Sequence, residues 1–201
     1  MKRFLVVLLG VIALSGPVRA EALPDIVQND PDVPSVSSAG YDVTIVVFFD
    51  YRCPHCRVMS PRFADLLRED KKVRIVYRDW PIFGGPSIEA ARAAMASRYQ
   101  GKHEALDTAL MSLKGKLTSE GVQTAMRVAG VDPERLQADL VAHKAEIDAG
   151  LARTDGIAQA IGLSGTPAMI VGSYLVPGEV DLEDLRGVIK AARHQSVSQT
   201  R

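Results

Sequence analysis

An unbroken apolar run, Thr44-Ile45-Val46-Val47-Phe48-Phe49, leads within four residues into Cys53-Pro54-His55-Cys56. Residues that are β-branched or aromatic favour a buried strand. The proline at the second position of the quartet suits the first turn of a helix, where no N–H partner is needed. A strand that ends in Cys-x-x-Cys and feeds a helix constrains the chain to an α/β arrangement with a dithiol at the strand–helix junction. The two cysteines are the only ones in the 201 residues, so none is spent on a structural cross-link elsewhere.

The pair reads as chemistry of sulfur. A thiolate attacks disulfides and a thiol hardly does, and a free cysteine ionises only near about 8.5. At the start of a helix, unpaired N–H groups and the positive end of the dipole stabilise an anion. Cys53 is therefore assigned as the attacking, exposed thiolate. Cys56, one turn further in, is assigned as the buried thiol that resolves a mixed disulfide. His55 adds a donor or a positive charge beside the same sulfur, and Arg52 and Arg57 add diffuse positive potential.

Competing readings of the pair are weak. A zinc site needs two further ligands, but no second Cys-x-x-Cys exists and His55, His103, His143 and His194 are scattered, so no metal is expected. Haem attachment wants histidine directly after the second cysteine, where this chain has Arg57. A structural disulfide closing so short a loop removes little chain entropy.

The first twenty residues have the features of a secretory signal: Lys2 and Arg3, an apolar core over Phe4–Leu14, a break at Gly16-Pro17, then Val18-Arg19-Ala20. Cleavage is predicted before Glu21, which gives a periplasmic protein in a compartment where disulfides persist. Basic and acidic side chains are equal in number over the whole chain, at 24 each, and removal of the leader leaves a small acidic excess. That balance, with no basic patch, gives no reason to invoke nucleic acid.

Residues 21–42 carry Pro24, Pro31 and Pro34 and read as a linker or an extended edge segment. A helix is predicted from Pro54 to about Arg68, with Pro61 inside it as a kink, then a strand over Val73–Tyr77 and a loop through Pro81, Gly84, Gly85 and Pro86. Residues 87–162 are helical in pattern throughout. Asp132-Pro133 marks a helix start. Met169-Ile170-Val171 and Tyr174-Leu175-Val176 form a hairpin, and Asp181 caps a last helix with Leu182, Leu185, Val188 and Ile189 on one face. The predicted organisation is an α/β sheet unit from 43–86 and 163–192, a helical insertion over 87–162, and a polar flexible tail over 193–201.

The stretch from Phe48 to Cys56, Pro61, the helical block and Ser164-Gly165-Thr166-Pro167-Ala168 together resemble the DsbA-like branch of the thioredoxin superfamily, over roughly residues 41–192. Residues 29–56, with Asp30-Pro31-Asp32 ahead of the strand, look similar to its Com/ScsC-like periplasmic members. The resemblance implies an α/β thioredoxin-like fold with an all-helical insertion domain. It implies a cis Pro167 against the Cys53 sulfur, and a Thr166 backbone offered to an extended substrate as an added strand. It also implies a protein disulfide oxidoreductase that uses no cofactor beyond its own cysteines. Its partners would be cysteine-containing exported proteins and a membrane redox partner. One departure stands out: such proteins usually carry a buried acid six positions before the first cysteine, and here that position is Val47. Asp50 is the nearest carboxylate and the candidate for proton handling, with a turn-capping role as its alternative. Other functional classes left open are a disulfide isomerase or reductase, a thiol-based copper binder and a chaperone.

Overall fold

The computed structural model describes residues 25–199, with side chains to 195, so the predicted leader lies outside the described residues. The elements are β1 (Ser35–Ser37), β2 (Val43–Phe49), α1 (Pro54–Glu69), β3 (Val73–Asp79), α2 (Pro86–Ser97), α3 (His103–Met111), α4 (Ser119–Val128), α5 (Pro133–Ala142), α6 (Lys144–Ala160), β4 (Ala168–Val171), β5 (Tyr174–Pro177) and α7 (Leu182–Gln199). The sheet has the order β1-β3-β2-β4-β5. β2 and β3 are parallel, joined through α1, and the remaining neighbours are antiparallel. The outer strands are short, three and four residues, which limits the edge open to unwanted pairing.

β2 is buried at every position, and its side chains alternate between faces. Ile45, Val47 and Phe49 join the larger core with Met59, Phe63 and Leu66 of α1, Leu185 and Ile189 of α7, and Leu106 and Leu110 of the helical insertion. Val46 and Phe48 face the other way, onto Val27, Val33, Trp80, Ala158 and Ile170. A central strand covered on both faces explains why the sequence shows an unbroken apolar run there rather than alternation.

Between β3 and β4 the chain forms five α-helices, α2 to α6, and no strand. Several starts follow directly from local chemistry. Pro86 and Pro133 occupy the first turns of α2 and α5, and the Asp132 and Thr118 side chains accept from the N–H groups of Arg135 and Gly121 at the starts of α5 and α4. α1 runs on through Pro61 without a break. The turn from β4 to β5 passes through Gly172 at φ +59°, where a Cβ would meet that of Ala192 on α7 at 3.0 Å, so glycine is required on both counts.

One segment differs from the sequence expectation: α7 continues to Gln199, through residues assigned to a tail. Of the two readings for the segment ahead of β2, residues 25–37 take the extended edge rather than the linker. They form a short 3-10 turn at Asp25–Val27 and the edge strand β1, with Ser35, Val36 and Ser37 opposite Val76, Ile75 and Arg74. A buried ion cluster fixes this segment. Arg78 of β3, fully buried, donates to Val27 O (3.0 Å), to Ile26 O and to Thr154 Oγ1 (3.3 Å), and lies 3.4 Å from Asp30 Oδ2. Arg153 of α6 grips the same carboxylate at 2.9 and 2.7 Å and also pairs with Asp32. Burial pushes the Asp30 carboxyl up, but Arg153, the Asp32 N–H and the Arg78 charge outweigh it and leave it below its ordinary value.

A dithiol at the start of a helix

Cys53 is the N-cap residue of α1, with extended backbone (φ −71°, ψ 121°), and Pro54 opens the helix. The turn before it is built by Asp50: its Oδ1 accepts from Arg52 N at 2.7 Å, its Oδ2 from Phe83 N at 3.1 Å, and its carbonyl from Cys53 N at 3.0 Å. Both carboxylate oxygens are thus bonded to backbone N–H groups, the turn-capping arrangement that the sequence offered as the alternative for Asp50.

The Thr166–Pro167 bond is cis, and the loop lies over the dithiol, with Thr166 O accepting from the Cys53 thiol at 3.1 Å. This loop corrects another expectation. Cys53 is only 3% exposed, nearly as buried as Cys56 at 2%, because the chain around residue 166 covers it; Pro54 and His55 remain exposed. Both cysteines are free thiols.

Their ionisations are driven apart. The Cys53 thiol is lowered to about 5, first because the Cys56 thiol donates to its sulfur, and further through the Thr166 side chain and the N–H groups of Cys56 and His55; burial opposes the shift. The Cys56 thiol is raised far above its ordinary value, first by burial and then by the same bond to Cys53, in which the proton stays on Cys56. One sulfur is prepared as an anion and its neighbour as a donor.

His55 is held from a distant part of the chain. Its Nδ1 lies 3.0 Å from Glu179 Oε2, on the loop after β5, and Arg62 of α1 donates to the other oxygen of Glu179 at 3.0 Å. The Glu179 bond is the main reason the imidazole is raised above its usual value, and the Cys53 charge adds to it. Glu179→Gln is expected to lower the His55 titration midpoint in an NMR pH series; an unmoved midpoint would contradict this link. Arg57 is not a diffuse charge alone. Its guanidinium donates to Tyr51 O (3.0 Å), Leu113 O (3.0 Å) and Gly115 O (2.6 Å), fastening the loop after α3 to the active helix.

Beneath the dithiol lies a buried polar group that the sequence did not single out. The Tyr51 hydroxyl donates to Asp107 Oδ1 at 3.1 Å. Asp79, at the end of β3, is buried and neither of its oxygens has a hydrogen-bond partner among the described residues. Tyr77, in edge contact with Phe49 and beside His103, closes the cluster. The available signal was the pair Arg78-Asp79, charged residues continuing a strand that must be covered on both faces.

Residues 44–190 match the family of DSBA-like thioredoxin domains. The chain belongs to that family. The DsbA-like fold is shared with a thioredoxin-like oxidoreductase from Silicibacter pomeroyi DSS-3, 44% identical over 85% of this chain and 97% of that one, with a TM-score of 0.80. It is also shared with the thiol-disulfide exchange protein alpha-DsbA2 from Wolbachia pipientis (26% identity, 81% and 88% covered, TM-score 0.76) and with a periplasmic thioredoxin-like protein from Salmonella enterica serovar Typhimurium (26%, 84% and 94%, 0.73). Among curated proteins, the Na(+)/H(+) antiporter NhaA 1 of Salinispora arenicola (strain CNS-205) is 26% identical over 152 residues; the match takes in 75% of this chain but 23% of that protein. The DsbA-like chain therefore spans about a quarter of the length of the curated relatives it matches. No helix among the described residues is long and apolar enough to cross a membrane, and no cluster of three or more His, Cys, Asp or Glu side chains among them could hold a metal ion.

Proposed function

We propose that this DsbA-like chain is a periplasmic thiol–disulfide oxidoreductase that passes its Cys53–Cys56 disulfide to cysteine-containing exported proteins. A substrate thiolate attacks the Cys53 sulfur. A mixed disulfide forms, and Cys56 leaves and takes up a proton. A second substrate thiolate then attacks its partner sulfur in the mixed disulfide, the substrate disulfide closes, and Cys53 leaves as a thiolate. Two electrons pass from substrate to chain, and a membrane redox partner removes them. The observation that carries this reading is the split between the two thiols, Cys53 low and Cys56 high. A low-pKa sulfur is the better leaving group, and stabilising the reduced thiolate makes the disulfide a stronger oxidant.

Thr166, half-exposed beside Cys53, would present its backbone to an extended substrate, and Phe83, exposed next to Arg52, would line the approach. Residues 43–86 and 163–192 would carry the chemistry, with 87–162 as the inserted cap and 1–20 as the leader.

The test incubates the oxidised protein with a reduced, unfolded model substrate and measures the equilibrium of the pair against glutathione. Rapid formation of substrate disulfides and an oxidising equilibrium are expected; a strongly reducing one would instead assign a reductase or isomerase. The pH sign follows from the lowered Cys53 value. Its contribution to the stability of the reduced form is complete above the ordinary thiol value and is lost as pH falls toward about 5. The excess stability of the reduced over the oxidised protein should therefore shrink between pH 8 and pH 5 in denaturant titrations.

A further inference from the structure

The same reaction leaves one group unaccounted for, the acid or base that serves Cys56. When the disulfide opens, the Cys56 sulfur receives an electron pair in a site that is 2% exposed, and burial strongly disfavours its anion. A proton has to reach it from nearby.

Cys56 lines a small cavity together with Val47, Ser60, Tyr77, Asp107 and Pro167, and about 20 Å³ of it is open to the centre of a water molecule, room for about one water. The proton-bearing groups that face this region come from three parts of the fold. Asp50, in the turn after β2, has both carboxylate oxygens bonded to N–H groups of the active-site turn. Tyr51, in the same turn, is raised well above the ordinary tyrosine value, mainly by burial. Tyr77 of β3 is raised for the same reason, so neither hydroxyl gives up a proton near neutrality. Asp79 of β3 is raised well above its usual value, first by burial and then by Asp107, with Tyr51 opposing, and it does not line the cavity. His103 of α3 is lowered to about 4 by burial and stays neutral. Asp107 of α3 is raised to about 7 by burial, with the Tyr51 bond opposing and Glu104 reinforcing the shift. It is the carboxyl that shares the cavity with Cys56.

We propose that Asp107, supplied by the helical insertion, gives a proton to the Cys56 sulfur as the Cys53–Cys56 bond opens and takes it back when Cys56 attacks a mixed disulfide. In the opening direction the incoming thiolate forms a bond to the Cys53 sulfur, the electron pair of the Cys53–Cys56 bond moves to Cys56, and the Asp107 carboxyl proton crosses the cavity, directly or through one water, leaving a carboxylate. In the closing direction each transfer reverses. Tyr51 acts as a positioning residue: its hydroxyl fixes one carboxylate oxygen and stabilises the ionised form.

The inference rests on the exchange reaction proposed above, and its test separates the two. The oxidised full chain is mixed with a reduced cysteine peptide and quenched in acid at intervals; the opening rate, corrected for the peptide's own thiolate fraction, is followed from pH 5 to 9. The wild type is expected to show an inflection near pH 7, the rate falling as Asp107 ionises. Asp107→Asn, nearly isosteric and able to keep the Tyr51 bond, should remove the inflection and slow opening below pH 7 by about 100-fold. Tyr51→Phe should move the inflection upward, and Asp79→Asn should leave it in place. A rate and profile in Asp107→Asn equal to those of the wild type would overturn the proposal, as would loss of the inflection in Asp79→Asn alone. Should Asp107→Asn fail to fold, the wild-type and Tyr51→Phe profiles decide, and a wild type without the inflection overturns the proposal. A wild type that exchanges normally while these profiles fail sinks Asp107 only. A wild type that does not react with the peptide sinks the exchange reading and this inference together.

Discussion

Cys53→Ala is expected to reduce disulfide transfer to the rate of the substrate alone, although a cysteine remains one helical turn away. The remaining thiol cannot substitute. Cys56 is buried and its ionisation is raised far above neutrality, so the thiolate that attack requires is scarce. Cys56→Ala should behave differently. Cys53 keeps the cover of the 165–167 loop and the N–H groups of the helix start, though it loses the donor that contributes most to its low value. It should still enter mixed disulfides, which then accumulate because nothing internal resolves them. Trapping with a model substrate, read by non-reducing electrophoresis and mass, checks both variants. Accumulation in the Cys53 variant rather than the Cys56 variant would reverse the assignment.

The second large effect concerns stability. Asp30→Ala is expected to cost about 3–5 kcal/mol, the range for removing one partner of a buried pair. The reason is the charge left behind. Arg78 is fully buried, and without Asp30 its compensation falls to backbone carbonyls and Thr154, while Arg153 loses its main partner. For a chain of this size the loss corresponds to roughly 10 °C in thermal midpoint. Asp65→Ala, which removes a surface pair with Arg68 one helical turn away, should cost less than about 1 kcal/mol. Equal effects from the two would argue that the Asp30 cluster is not buried as described. Because the Asp30 carboxyl is lowered, its contribution is complete above the ordinary carboxylate range and is lost as pH falls through the folded value. Acid should therefore release residues 25–37 before the sheet core.

What sequence conveyed and what it withheld follow from the range of the forces involved. β2, β3 and the β4–β5 hairpin were readable because strand burial imposes its pattern over neighbouring residues, and α5 because Asp132-Pro133 settles its own first turn. The dithiol was readable because both partners lie within one helical turn. For residues 25–37 an extended edge was readable but its anchoring was not, because prolines describe local conformation, whereas this segment is fixed by Arg78 and Arg153, about 50 and 120 positions away along the chain. Glu179 reaches His55 across 124 positions, and Asp107 reaches Tyr51 across 56; no spacing rule connects them. The turn-capping bonds of Asp50 were readable because Arg52 lies two positions away, but its bond to Phe83, 33 positions on, was not. The burial of Cys53 depends on a loop more than a hundred residues later.

The Cys53 sulfur is expected to be an anion at neutral pH while Cys56 keeps its proton. Titration of the reduced protein by thiolate ultraviolet absorbance, with Cys53→Ala as the reference, measures this directly. One thiolate should appear with a midpoint of about 5, absent from the variant, and no second one through neutrality. Ionisation of both sulfurs together at about 8.5, the ordinary cysteine value, would contradict it.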